Sequence, residues 1–260
     1  MAIDEALLLN YRPGESMPVL RLYGWSPPAL SLGRYQDVSA IDLRRCREDG
    51  LPIVRRVTGG GAIYHADELT YALVCAPGDL PLATSIKESF RVLTGFLLDA
   101  YRRLGLAAAY AVDAVPPHVQ LGGRTHFCFA GHESYDILVN GRKLGGNAQR
   151  RLKHAVFQHG SIPLRNRAGD GGAYMRQPPK DIVAVTTSLR EEGVAASEEE
   201  LASLLTASFA ATLGVELLPV GLTAAEQQAA ARLRDAKYLA DAWNQGGEIP
   251  EERMEHGNTP

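Results

Sequence analysis

Residues 128–161 read CFAGHESYDILVNGRKLGGNAQRRLKHAVFQHGS, and this stretch decides how the rest of the chain is read. Its centre, Ser134 to Gly146, has the form of a β-hairpin. Apolar Ile137 and Val139 alternate with other residues ahead of Asn140-Gly141, a dipeptide that suits a two-residue type I′ turn. Lys143 then stands on the returning strand. Gly145, Gly146, Asn147 and Ala148 follow with little side-chain bulk, so a ligand or another stretch of backbone could approach the main chain there. The picture is a cation beside a narrow slot, followed by a strand-like run at 155–164.

Working outward, Arg55-Arg56-Val57-Thr58-Gly59-Gly60-Gly61 is the next informative run. Three glycines let backbone N–H groups close on a ligand, while two arginines bring positive charge for a carboxylate, phosphate or phosphopantetheine. A tight turn with surface arginines fits the same residues, and the run lacks both the Gly-Lys-Ser/Thr ending of a P-loop and a dinucleotide spacing. His65, four residues after Gly61, reads either as a general base or as a hydrogen-bonding prop for the glycine loop, and His159 carries the same ambiguity. Cys128 lies among His126, His132 and downstream arginines, surroundings that lower a thiol pKa. The alternative is a small buried apolar residue, which is also the reading of Cys46 and Cys75. Lys143 is either a solvated strand lysine or a group that holds a carbonyl oxygen as negative charge develops on it.

Composition limits the classes available. A chain of 260 residues, 45% hydrophobic and 22% charged, buries a large core as one soluble domain, and no apolar run is long enough to span a bilayer. A net charge of −3 gives no bulk attraction to nucleic acid. Arg142, Arg150, Arg151, Lys153 and His154 form a local basic patch within the acidic whole. Cysteines at 46, 75 and 128 make neither an even disulfide framework nor a Cys-x-x-Cys pair, and no histidines and carboxylates have metal-ligand spacing. The expectation is a reducing cytoplasm, with no signal peptide and no metal.

Element signals point to α/β (α+β) architecture. Met1 to Asn10 is helix-forming, and strand-like runs flank Ser26-Pro27-Pro28. Residues 39–49 read as a short helix closed by Gly50. Capping-box spacings at Ser85–Glu88, Ser197–Glu200 and Thr223–Glu226 open three helices. The first of these places Ile86, Phe90, Leu93, Leu97, Ala100 and Leu104 on its apolar face. Residues 165–180 read as a glycine-rich loop with mobility. A single domain over 1–246 and a disordered tail over 247–260 are expected.

The blocks RRVTGGGAIYHADELTYALV (55–74) and GRKLGGNAQRRLKHAVFQHGSI (141–162) resemble the two signature blocks of the lipoate-protein ligase and octanoyltransferase superfamily. The likeness extends through RLYGWSPPALSLGRYQ (21–36) and AKYLADAWN (236–244), and so over almost the whole chain. Within the superfamily the pattern is similar to the LipM-type octanoyltransferases, which carry a cysteine in a Cys-Phe run ahead of the Gly-Arg-Lys block; here that is Cys128. The LipB branch places its cysteine in a late Pro-Cys-Gly motif, which does not occur here.

The resemblance implies a fold related to biotin protein ligases, with a large mixed β-sheet and a smaller sheet flanked by helices. It implies that Cys128 takes an octanoyl group from an acyl carrier protein and passes it to a lysine of a lipoyl-domain protein, such as a glycine cleavage H protein or an E2 subunit. Lys143 would lower the Cys128 pKa and bind the acyl carbonyl. Gly59, Gly60, Gly61, His65, Gly145, Gly146, Asn147 and Ala148 would line the acyl tunnel, and Arg56, His159 and Gly160 complete the expected substrate-binding set. No cofactor is expected of such a monomeric transferase, because thioester exchange needs a nucleophile and oxyanion support but no ATP. Two rivals stand beside it. One is a lipoate-protein ligase half using ATP and Mg, and the other is a non-catalytic module holding carrier proteins through Arg142, Arg150, Arg151 and Lys153. The chain departs from the family pattern in having Ala66 directly after His65, with Asp67 one place later; in the AGHES run (130–134) after Cys128; and in an N-terminus without the residues that commonly form a first strand.

Overall fold

The computed structural model of the chain describes residues 1–80, 85–116, 133–178 and 180–248. Its strands are β1 (Val19–Tyr23), β2 (Ala29–Leu32), β3 (Ile53–Arg55), β4 (Ile63–His65), β5 (Glu68–Cys75), β6 (Ala108–Tyr110), β7 (Ile137–Val139), β8 (Arg142–Leu144), β9 (Gly146–Arg151), β10 (Val156–Pro163) and β11 (Thr186–Thr187). The α-helices are α1 (Ala2–Asn10), α2 (Leu43–Glu48), α3 (Ile86–Arg103), α4 (Ala111–Ala114), α5 (Ala168–Gly172), α6 (Ile182–Val185), α7 (Glu198–Leu213) and α8 (Ala224–Leu233).

The protein is a mixed α/β fold in which these strands form three hydrogen-bonded sheets. The main sheet is antiparallel, in the order β1-β5-β10-β9. The two parallel pairings belong to the smaller sheets, β11 with β8 in β11-β8-β7-β6 and β2 with β3 in β3-β2-β4. Both central strands of the main sheet are buried along their full length, which requires cover on both faces. The two-residue period of β5 supplies it. Leu69, Tyr71, Leu73 and Cys75 pack with Leu93, Phe96 and Leu97 of α3 and with Leu201, Leu205 and Phe209 of α7. Ala72 and Val74 pack instead with Leu7 and Leu8 of α1, Phe157, Tyr238 and Trp243.

Local signals account for most element ends. All three capping boxes close in both directions, at Ser85–Glu88, Ser197–Glu200 and Thr223–Glu226. The 39–49 helix is shorter than expected: α2 begins at Leu43, capped by Asp42, after a single turn of 3₁₀ helix at Val38–Ala40, and Gly50 follows it at φ +63°. Ile86 is 58% exposed, so the apolar face of α3 starts one to two turns later than the sequence pattern placed it. Residues 165–178 depart from the loop reading. They form α5, bury Ala168 and Met175, and bridge Met175 to Ile41, because those two apolar side chains complete the core under β2 and β4. Among the described residues no helix is long and apolar enough to cross a membrane. Residues 249–260, most of the expected tail, lie outside the described residues.

The C-terminal segment is tied to β3 by Arg55, which is only 2% exposed and is not the surface arginine that a simple turn would carry. Its guanidinium donates to the carbonyls of Gly33 (2.8 Å), Gln36 (2.8 Å), Trp243 (3.0 Å) and Gln245 (3.0 Å), and Trp243 Nε1 returns a bond to the Arg55 carbonyl at 2.8 Å. Each buried carbonyl left without a donor costs about 1–3 kcal/mol. Arg55→Met is therefore expected to lower the unfolding free energy by about 3 kcal/mol or more, read from the urea midpoint, and to red-shift tryptophan emission as Trp243 loosens.

Candidate active site

The glycine loop is held from inside the protein. Arg56, 1% exposed, donates to the carbonyls of Gly59 (2.8 Å) and Gly61 (2.7 Å) through one terminal nitrogen and to Ser31 Oγ (3.2 Å) through the other. The backbone of Gly33 passes beneath: a Cβ there would lie 1.8 Å from the Gly60 carbonyl, so only glycine fits. With both flanking carbonyls turned inward onto Arg56, the amide N–H groups of Gly59, Gly60 and Gly61 donate to no acceptor among the described residues. Arg56 thus acts on the loop; any charge it lends to a ligand is lent through that loop.

A buried polar chain continues from Ser31. Ser31 Oγ lies 2.7 Å from His65 Nε2, and His65 Nδ1 lies 2.7 Å from Glu68 Oε1. Glu68 also accepts from Thr70 Oγ1 at 2.7 Å and from the Ser161 hydroxyl. Trp25 stacks on His65 with centroids 4.0 Å apart and donates its indole N–H to Thr70 at 2.9 Å. His65 therefore has both ring nitrogens occupied and its face covered, which fits the prop for the glycine loop rather than an open base. Asp67, displaced by one place from the family position, takes φ +49° at the β4–β5 turn and pairs with Arg167 at 2.6 Å on the surface.

On the same face of the main sheet, His159 sits opposite Ala72 and Ser161 opposite Thr70. His159 Nε2 contacts Thr58 Oγ1 at 2.7 Å, which ties the glycine loop to β10. Burial pushes the His159 pKa down to about 3, and the Arg56 guanidinium adds to the effect, so the ring is neutral. On the opposite face Asn147 accepts from the Tyr71 hydroxyl at 2.6 Å. A Cβ on Gly160 would lie 2.3 Å from Asn147 Oδ1, and one on Gly145 would lie 2.2 Å from the Ser161 carbonyl. The close approach that the small residues permit at Gly145 is thus made by protein backbone. Gly146 and Ala148 carry β9 alongside Ser161 and His159.

The Asn140-Gly141 turn forms as read, with φ +51° and +77°, and returns the chain to Lys143. Lys143 is 1% exposed, and its ammonium lies 2.6 Å from Asp136 Oδ2. A buried ammonium needs such a partner. Cys128, with His126 and His132, falls outside the described residues. The other two thiols are silenced: burial pushes Cys75 up to about 12, helped by Asp79, and burial raises Cys46 as well. The basic patch read from the sequence is divided. Arg142 belongs to the hairpin sheet and is paired with Glu192 at 2.6 Å, whereas Arg150, Arg151, Lys153 and His154 lie around the β9–β10 turn.

Residues 1–210 match the model of the lipoyl protein ligase A/B catalytic domain. The chain belongs to that family. Relatives include proteins named Octanoyltransferase LipM from Kyrpidia tusciae, 37% identical over 94% of this chain and 93% of its own length, and from Symbiobacterium thermophilum, 38% identical over 94% and 92%. Among solved structures, a lipoate-protein ligase A bound with ATP superposes with a TM-score of 0.79 at 24% identity, covering 95% of this chain and 93% of its own. A putative lipoate protein ligase from T. acidophilum with bound lipoic acid gives 0.77 at 25% identity, covering 94% and 92%.

Within this lipoyl-ligase-family fold, several site residues carry no motif of their own. Asp136 was readable from hairpin register: Leu138 is the partner of Lys143, and the residue two before Leu138 shares its face. Glu68 lies three residues after His65 across a short turn. Ser31, Thr58 and Ser161 give no such signal, because their places depend on how separate sheets meet.

The neutrality of His159 sets a pH dependence. Unfolded, the ring takes up a proton near its ordinary value; folded, it resists until about pH 3. The unfolded state therefore binds more protons in between, and stability falls as pH drops from about 6.5 toward 3. His159→Gln is expected to flatten this acid limb, by up to about 1.4 kcal/mol per pH unit, in urea midpoints collected between pH 4 and 7. An unchanged slope would mean that His159 is not buried neutral.

Proposed function

We propose that the chain is an octanoyltransferase of protein lipoylation, acting in the cytoplasm without metal or nucleotide. It takes an octanoyl group from acyl carrier protein as a Cys128 thioester and delivers it to a lysine of a lipoyl-domain protein. Relatives named Octanoyltransferase LipM, aligned over almost the whole chain, support the octanoyl transfer. The geometric observation that carries the proposal is the buried Lys143–Asp136 pair at 2.6 Å on the strand leading into Gly145.

In the first half-reaction the Cys128 thiolate attacks the donor's thioester carbonyl. The carbonyl electrons move to oxygen, then return as the pantetheine thiolate leaves and is protonated. In the second, the neutral amine of the acceptor lysine attacks the acyl–Cys128 carbonyl, loses a proton, and expels Cys128 as thiolate, leaving an amide. Both steps place negative charge on the carbonyl oxygen, where a fixed ammonium stabilises it most. Lys143 supplies that charge, and Asp136 holds it in position. The same cation favours the Cys128 thiolate. Gly59, Gly60 and Gly61, positioned by Arg56 and by the Thr58–His159 contact, form one wall for the acyl chain. Gly146 and Ala148, beside Ser161 and His159, form the floor, Gly145, Gly160 and Asn147 hold β8, β9 and β10 close together beneath it, and His65 braces the wall.

Intact-protein mass spectrometry after mixing with octanoyl acyl carrier protein is expected to show an acyl adduct. The adduct is absent in Cys128→Ala and is discharged by an apo lipoyl-domain protein. Lys143→Met is expected to slow loading by roughly 10²–10³-fold. Because it leaves Asp136 buried and unpaired, the Lys143→Met/Asp136→Asn double variant is the control for folding, and it should fold and remain slow. Wild type that forms no adduct but makes lipoyl-AMP from ATP and lipoate would establish a ligase instead.

A further inference from the structure

Outside the acyl site, arginines gather around one open cleft. The segment after β10 contributes Arg165, Asn166 and Arg167, and the turn after β11 contributes Ser188, Arg190 and Glu191, across about 250 Å³. Part of this charge is neutralised internally. Arg167 pairs with Asp67 at 2.6 Å and Asp170 at 3.3 Å; Glu191 accepts from Asn166 at 3.2 Å and lies 3.7 Å from Arg142. Arg165 and Arg190 are exposed, and neither has an acidic partner among the described residues. Their backbones are nevertheless fixed, through Arg165 N to the Asp67 carbonyl (3.2 Å) and Arg190 N to the Leu164 carbonyl (3.1 Å). The cleft therefore presents two uncompensated guanidinium groups from a rigid frame.

Size and position narrow the ligand. A drug-sized molecule occupies roughly 300–1,000 Å³, so this cleft suits an anionic head group and not a whole nucleotide. Arg165, Asn166 and Arg167 also line an inner crevice of about 20 Å³ that reaches Glu68, Thr186 and Thr187. Thr186 is the register partner of Lys143. The cleft is thus the outer end of a continuous line of residues leading to the strand that carries Lys143. Two guanidinium forks at that place match a phosphate oxygen set bidentately.

We propose that this cleft is a phosphate site that seats the phosphodiester at the base of the donor's pantetheine arm. The assignment of the donor rests on the transferase reading above; the anion chemistry of the cleft does not. Wild type and the Arg165→Gln/Arg190→Gln variant are titrated by NMR with 4′-phosphopantetheine and with pantetheine. Wild type is expected to bind the phosphorylated compound roughly 10–100-fold more tightly, and the variant to lose that preference. Equal binding of the two compounds by wild type, or a preference retained in the variant, overturns the proposal whether or not acyl transfer is observed.

Loading kinetics test the donor assignment. The variant should raise the KM for octanoyl acyl carrier protein by roughly 10–100-fold while loading from octanoyl-pantetheine, which lacks the phosphate, is unchanged. Equal losses with both donors overturn the assignment. A wild type that binds phosphopantetheine in the cleft but forms no acyl adduct refutes the transferase reading and leaves the phosphate site standing.

Discussion

Much of the structure depends on one buried cation. Arg56 directly follows β3 and is 1% exposed. An arginine cannot shed its charge, so burying it requires acceptors, which Arg56 finds through its two terminal nitrogens. It obtains them from Ser31 on β2 and from the two carbonyls that flank Gly60. Satisfying that guanidinium therefore fixes the conformation of the triple-glycine loop. Ser31 then passes the constraint to His65, Glu68 and Ser161, that is, from the small β3-β2-β4 sheet to the two central strands of the main sheet. A polar chain of this kind tolerates no missing member, since each gap leaves a buried group without a partner.

The glycine pattern follows from the same packing. Gly33 allows the β2 end to pass under Gly60, Gly145 lets β8 turn against Ser161, and Gly160 leaves room for Asn147. Side chains at these positions would push the sheets apart. The loop glycines differ: a Cβ on Gly59 would meet nothing within 4 Å, so packing alone does not require its small size. That contrast separates glycines whose small size the sheet packing requires from one whose small size it does not.

How far the sequence could be read depended on how local each determinant is. The hairpin around Asn140-Gly141, three capping boxes and the buried central strands were legible, because turn chemistry, cap spacing and hydrophobic runs act within a few residues. The burial of Arg55 and Arg56 was not. Nothing adjacent in sequence indicates that Arg55 will meet the carbonyls of Trp243 and Gln245 nearly two hundred residues away. The packing of 168–175 was missed for the same reason: it depends on Met175 reaching Ile41. Family motifs pointed to a candidate site, but its electrostatic partners, Asp136 and Glu68, appear only when strand register is known.

Cys46, Cys75 and Lys143 show how one fold assigns opposite fates to buried ionisable groups. Cys46 and Cys75 sit on elements whose burial serves packing, and the resulting desolvation disfavours their thiolates. At neutral pH they are small apolar groups. Burial of Lys143 works in the opposite sense, because the paired carboxylate of Asp136 compensates the desolvated ammonium and keeps a positive charge inside the protein. A thiol near that charge gains acidity as the two buried thiols lose it. Where the fold retains positive charge and where it excludes water thus decide whether a thiol is reactive or inert.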